Sequence, residues 1–189
     1  MAKAKPVTGL DPQAPTGKNA RIIARVRLEE LYDWDRYVDN PECKRELHNL
    51  RIAAKRLRYT LEVFEDVLPE ACKPIVKELE QIQEELGLLH DSDVMIALLQ
   101  LCLSGPQIKH TLPEVLEAEG KERIELPSQL VADLADSATA PTAEERSGLE
   151  QLLHRQQELR EKRYTIFRQH WYQLQAQDFR SQVLKTLNE

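Results

Sequence analysis

With 189 residues, 41% of them hydrophobic and 31% charged, the chain is long enough to bury a core and too apolar to be disordered. Its net charge of −6 lacks the basic excess usual in a general nucleic-acid binder, and six glycines with 5% aromatics disfavour a sheet protein. Leu, Glu, Gln, Arg and Ala dominate, and all are good helix formers. Cys43, Cys72 and Cys102 are odd in number and lack metal-ligand spacing, so they read as buried thiols in a reducing compartment. The apolar run 94–103 is short for a bilayer span and contains Gln100. The first 18 residues carry lysines but no apolar segment of a secretory signal, so a cytoplasmic protein is expected.

Pro6, Gly9, Pro12, Pro15 and Gly17 mark residues 1–18 as a disordered tail. Ile22, Ile23, Val26, Trp34, Tyr37 and Val38 predict a first amphipathic helix over 19–38. Asn40-Pro41 closes it and opens a second helix, which runs to Leu68-Pro69. A third is expected from Pro74 to Gly87, with Ile75, Leu79, Ile82 and Leu86 on one face. Asp91 or Ser92 would then cap a fourth over 93–103. Ser104-Gly105-Pro106 breaks the chain, short helices are expected over 113–123 and 127–136, and 136–142 reads as a loop. A long last helix is predicted over 143–176, continuing after a break toward the C-terminus. The expected architecture is an all-α antiparallel helical bundle with long helices and a basic groove. It would occupy 19–180, between the 1–18 tail and a short 181–189 end.

The second helix has two chemically distinct faces. Between Cys43 and Thr60 stand six basic side chains, Lys44, Arg45, Arg51, Lys55, Arg56 and Arg58, against the single acid Glu46. At about 100° per residue, with His48 at zero, Leu50, Ala54, Leu57, Leu61 and Phe64 fall between roughly 160° and 240°. Lys44, His48, Arg51, Lys55 and Arg58 fall between roughly 280° and 0°, with Tyr59 beside them. They form one cationic ridge about 21 Å long. Like charges at i, i+3 and i+4 repel, and the first acid along the ridge is Glu62 at its far end. An extended polyanion would relieve that repulsion through the forked donors of Arg, the point charge of Lys and a His that charges beside phosphate. Acids on neighbouring helices, such as Glu29, Glu30 or Asp33, would relieve it equally.

The last helix repeats the ambiguity. Gln156, Arg160 and Arg163 project onto the same face as Leu149, Leu152, Leu153, Leu159, Phe167, Trp171 and Leu174. Either they line a polar groove or their heads reach water at the bundle edge. Arg27 interrupts the apolar side of the first helix in the same way.

His48-Asn-Leu-Arg51-Ile-Ala-Ala-Lys55-Arg56-Leu-Arg58-Tyr59-Thr-Leu-Glu62 resembles the signature of the CHAD family, the conserved histidine α-helical domain. Leu79-Glu-Gln-Ile-Gln83-Glu-Glu-Leu86-Gly87-Leu-Leu-His-Asp91 resembles the same family's following helix and turn. The two matches stand in the family's order and separation and cover about residues 42–100. The resemblance implies helical bundles with a basic cleft that bind inorganic polyphosphate, some of them on polyphosphate granules or fused to triphosphate-tunnel enzymes. It assigns phosphate contacts to His48, Arg51, Lys55, Arg56 and Arg58. Tyr59 also matches, although a tyrosine there is more often a packing residue. Arg56 lies about 80° from His48, off the ridge. Family members usually carry two related halves, whereas this chain shows one clear copy, most like the second half. A homodimer would restore a two-sided cleft by twofold symmetry.

The remaining chemistries are weaker. His48, His90, Asp91, Asp93, His154 and His170 lack metal-ligand spacing, and no metal or other cofactor is expected. No phosphate-cradling glycine loop occurs, and Glu78-Leu-Glu80 is followed by Gln-Ile where a triphosphate-tunnel enzyme would have Glu-x-Glu-x-Lys, so no enzyme activity is expected. Nucleic acid would be drawn to the same ridge, but Tyr59 alone offers a stacking surface there. A helical scaffold pairing its ridge with an acidic protein is the structural alternative. The sequence reading is therefore a non-catalytic polyphosphate binder with candidate contacts Lys44, His48, Arg51, Lys55, Arg56, Arg58, Tyr59, Arg160, Arg163 and Arg27, and no membrane partner.

Overall fold

The computed structural model describes residues 3–104 and 141–188. The helices expected over 113–123 and 127–136 lie outside the described residues. Among the described residues five α-helices are present: α1 (Thr16–Tyr32), α2 (Lys44–Val63), α3 (Cys72–Ser104), α4 (Ala143–Ala176) and α5 (Phe179–Thr186). The protein is all-α, with no strand among the described residues. Single 3-10 turns at Asp35–Tyr37 and Glu65–Val67 take up the ends expected for the first two helices. The described chain forms two compact units. One comprises residues up to 87 and 165 onward, the other 88–164.

In the first unit α1 packs along α2. Ala20, Ala24, Leu28 and Leu31 recur at helical spacing and are buried, and the two alanines leave room for close approach. From α2, Leu47, Leu50, Ala53, Ala54, Leu57 and Leu61 fill the core. The first half of α3 contributes Ile75, Leu79, Ile82 and Leu86, as their spacing predicts. The end of α4 supplies Phe167, Trp171 and Leu174, and α5 adds Phe179, Val183 and Leu187. Trp171 stacks near Tyr32 with ring centroids 5.8 Å apart and donates its indole N–H to Asp35 at 2.7 Å. The break after α4 is set by Asp178, whose φ of 55° is left-handed, a region Asp tolerates better than most residues. Ahead of α1, the Asn19 side chain pairs with the Asp11 backbone, and Lys5 reaches Asp33 at 2.6 Å.

In the second unit α4 begins with a reciprocal capping box. The Glu145 carboxylate accepts from the Thr142 backbone N–H at 2.8 Å, and the Thr142 hydroxyl accepts from the Glu145 N–H at 3.3 Å. Leu89, Ile96, Leu99 and Leu101 are buried here.

The expected stop at Gly87 is a correction, because α3 runs unbroken through it. A glycine is accepted within a helix at a cost of about 1 kcal/mol relative to alanine, so its presence does not by itself end one. Here the Arg51 guanidinium lies over Gly87: a Cβ at that position would stand 3.4 Å from Arg51 Nε. Ser92 and Asp93 consequently sit mid-helix and buried, pairing with α4 instead of capping a helix start. The resulting helix has the length and composition of a membrane span, with a window of mean hydropathy 1.5, but its apolar side chains are in part protein core.

His170 on α4 is held between two carboxylates of α3, with Nδ1 2.9 Å from Glu85 and Nε2 3.2 Å from Glu78. The hydrogen bond to Glu85 is the main cause of a raised imidazole pKa, with burial opposing it and Glu78 assisting. A raised folded pKa stabilises the protein fully below the unfolded value of about 6.5 and loses that contribution as pH rises through the folded value. The stability gap between wild type and His170→Asn is therefore expected to be larger at about pH 5.5 than at about pH 9 in urea titrations, and an equal gap at both would refute this.

Candidate polyanion-binding face on α2

The α2 ridge forms because its apolar positions are consumed on the opposite side. With Leu47, Leu50, Ala54, Leu57 and Leu61 buried, Lys44, His48, Arg51, Lys55 and Arg58 are left half-buried along the margin. The heads are partly buried as well: His48 Nδ1, Arg51 Nε and Arg58 Nε are shielded from water. Tyr59 is exposed beside them, with Lys55 Nζ 5.4 Å and Arg58 Cζ 4.9 Å from its ring centroid. Both cations lie within cation–π range. The structure thus brings Arg51, Lys55, Arg58 and Tyr59 onto one strip, as the helical spacing implied.

The strip leans on α3. Arg51 contacts Gly87, and Arg58 Nη1 lies 3.3 Å from Glu80. Both pairs of positions are seven residues apart (58 − 51 and 87 − 80), two turns on each helix. They run in opposite senses, as antiparallel neighbours must. Gln83 lies between Glu80 and Gly87 in sequence. The Nε of Arg51, the Nε of Arg58 and the Oε1 of Gln83 are all buried without a hydrogen-bond partner. Buried polar groups are rarely left so, and two guanidinium N–H groups in this state on one ridge mark a place where an acceptor fits.

The other candidate cations have acid or carbonyl partners of their own. Glu30 on α1, 4% exposed, accepts from both Arg27 (2.5 Å) and Arg56. Of the three acids considered as neutralisers of α2, Glu30 does so, and it takes the off-ridge arginine. Glu29 is exposed and Asp33 pairs with Lys5. In the second unit Arg160 is buried against Asp93 at 2.6 Å. Arg163 donates to the Ser92 hydroxyl at 2.6 Å and to the Leu88 carbonyl at 2.9 Å. The apolar face of α4 thus accommodates its arginines through internal partners on α3.

Three contributors to the α2 strip were not singled out from sequence as site residues. In sequence Gly87 carries a helix-stop signal, Glu80 figures only as a failed match to Glu-x-Glu-x-Lys, and Gln83 only as a position within the second motif. Pairing the two motifs as antiparallel helices would have placed Glu80 and Gly87 beside the ridge. Among the described residues no cluster of His, Cys, Asp and Glu suits a metal ion.

A family model for the CHAD domain matches residues 3–100, just over half of the chain. The match takes in α1, α2 and most of α3. No curated protein and no solved structure matches.

Glu30→Ala would leave two partly buried arginines without their shared carboxylate. It is expected to lower stability by roughly 3 kcal/mol, at the lower end of what breaking a buried ion pair costs, as measured by urea denaturation. A loss within about 0.5 kcal/mol, the range of ordinary surface substitutions, would show that water replaces Glu30.

Proposed function

The chain belongs to the CHAD-domain family, and from that premise we propose that it binds inorganic polyphosphate, without catalysis, along the ridge of Lys44, His48, Arg51, Lys55 and Arg58. CHAD domains are associated with polyphosphate metabolism and are generally non-catalytic. The observation that carries the reading is Arg51. Among the described residues its guanidinium has no hydrogen bond and no ion pair, its Nε is buried, and it stands mid-ridge. A phosphate oxygen satisfies that N–H and screens the repulsion from Lys55 at the same time. Tyr59 adds a rim that restrains the Lys55 and Arg58 heads.

A linear polyphosphate fits this strip better than a nucleic acid does. The ridge offers closely spaced cations and little surface on which bases could stack. Arg27, Arg56, Arg160 and Arg163 serve the fold in this reading, each engaged with partners of its own. A cytoplasmic location, including polyphosphate granules, is consistent with such a ligand. A second copy related by a twofold axis would supply a facing ridge.

Calorimetric titration with long-chain polyphosphate tests the proposal. Arg51→Ala/Lys55→Ala/Arg58→Ala is expected to weaken binding by at least about tenfold, since bonds to charged groups contribute about 1.5–3 kcal/mol each. The dependence of affinity on salt should also become shallower, because fewer counterions are released. Unchanged affinity would reject the ridge, and displacement of polyphosphate by single-stranded RNA at equal phosphate concentration would favour a nucleic-acid ligand.

A further inference from the structure

The acids around the ridge differ in how firmly they are held. Glu30 is 5% exposed at its side chain and shared by two arginines, so it is fixed in the fold. Glu80 is 62% exposed and accepts a 3.3 Å hydrogen bond from Arg58 Nη1, while Glu62, 41% exposed, lies 3.7 Å from Arg58 Nε. Such exposed pairs are weak, because water and salt compete with them. Arg58 itself is only 14% exposed, and its Nε is buried without a hydrogen bond. A well-built cation therefore faces two loosely held carboxylates. Arg51, two turns back along the same ridge, faces no carboxylate among the described residues.

We infer that Glu80, assisted by Glu62, is an internal competitor that occupies the Arg58 end of the ridge and is displaced when a polyphosphate chain extends onto it. This rests on the polyphosphate reading above and adds a determinant of affinity to it. The carboxylate mimics a phosphate oxygen at one subsite, which limits repulsion among the ridge cations while the ridge is empty. An entering chain exchanges that weak contact for one with a more highly charged anion. Arg51 and Lys55 form the open part of the track, and Arg58 is the subsite that must be vacated first.

The test is a double-mutant cycle read by titration of long-chain polyphosphate at low salt. Glu80→Gln keeps the side chain's shape and is expected to tighten binding by about three- to tenfold, the range that loss of a weak competing pair and its repulsion allows. In an Arg58→Met background, which keeps an apolar stem but no charge, the gain from Glu80→Gln should disappear. Glu84→Gln, an exposed acid on the same helix with no partner at Arg58, controls for general loss of negative charge and is expected to change affinity less than twofold. The competitor role is overturned if Glu80→Gln binds no tighter than wild type. It is equally overturned if the gain survives in Arg58→Met, or if Glu84→Gln matches it. Wild-type protein that binds no polyphosphate would overturn the ligand assignment itself, a result distinct from a binding wild type whose Glu80→Gln variant is unchanged.

Discussion

A row of like charges on one helix persists only if the helix is held by its other faces. On α2 that anchorage is the buried set Leu47, Leu50, Ala54, Leu57 and Leu61, reinforced by one carboxylate, Glu30. Repulsion between ridge neighbours costs a few tenths of a kcal/mol per pair, whereas each buried leucine contributes about 2 kcal/mol. The apolar face therefore sets the orientation of α2, and the cations occupy what remains. Glu30 removes Arg56 from consideration as a free charge and ties it to Arg27, joining α1 to α2 through a single shared acid.

On the neighbouring helix, α3 does not stop at Gly87. The Arg51 guanidinium lies beside the helix there, at ordinary van der Waals distance from where a Cβ would stand. Continuation through Gly87 carries Ser92 and Asp93 into positions where Arg163 and Arg160 of α4 meet them. Buried charges are tolerated when paired, and Arg160 with Asp93 meets that condition within the second unit.

Arg27, Arg51, Arg56, Arg58 and Arg160 fall into two physical kinds. Arg27, Arg56 and Arg160 face acids that are themselves nearly inaccessible to water, so exchanging those partners for a ligand would uncover a buried charge. Arg58 faces acids that water already reaches, and Arg51 faces none among the described residues. On the polyphosphate reading proposed above, exposure of the partner, more than exposure of the arginine, separates the cations that build the fold from those suited to an anion.

Much of this was legible in the order of residues alone. Helix-forming composition and apolar spacing determined the all-α class, and the i, i+4, i+7, i+11, i+14 pattern determined that Lys44, His48, Arg51, Lys55 and Arg58 share one face, because both depend only on the local geometry of a helix. Which acid meets which arginine was not local. Glu29, Glu30 and Asp33 are near neighbours in sequence, yet only the packing of α1 on α2 turns Glu30 inward. Gly87 carried a stop signal, yet α3 runs through it, and the approach of Glu80 to Arg58 depends on an antiparallel pairing no single helix contains. Tertiary structure decided these points because an ion pair or a close approach is a distance between helices, and helical periodicity specifies only the direction in which each side chain sets out.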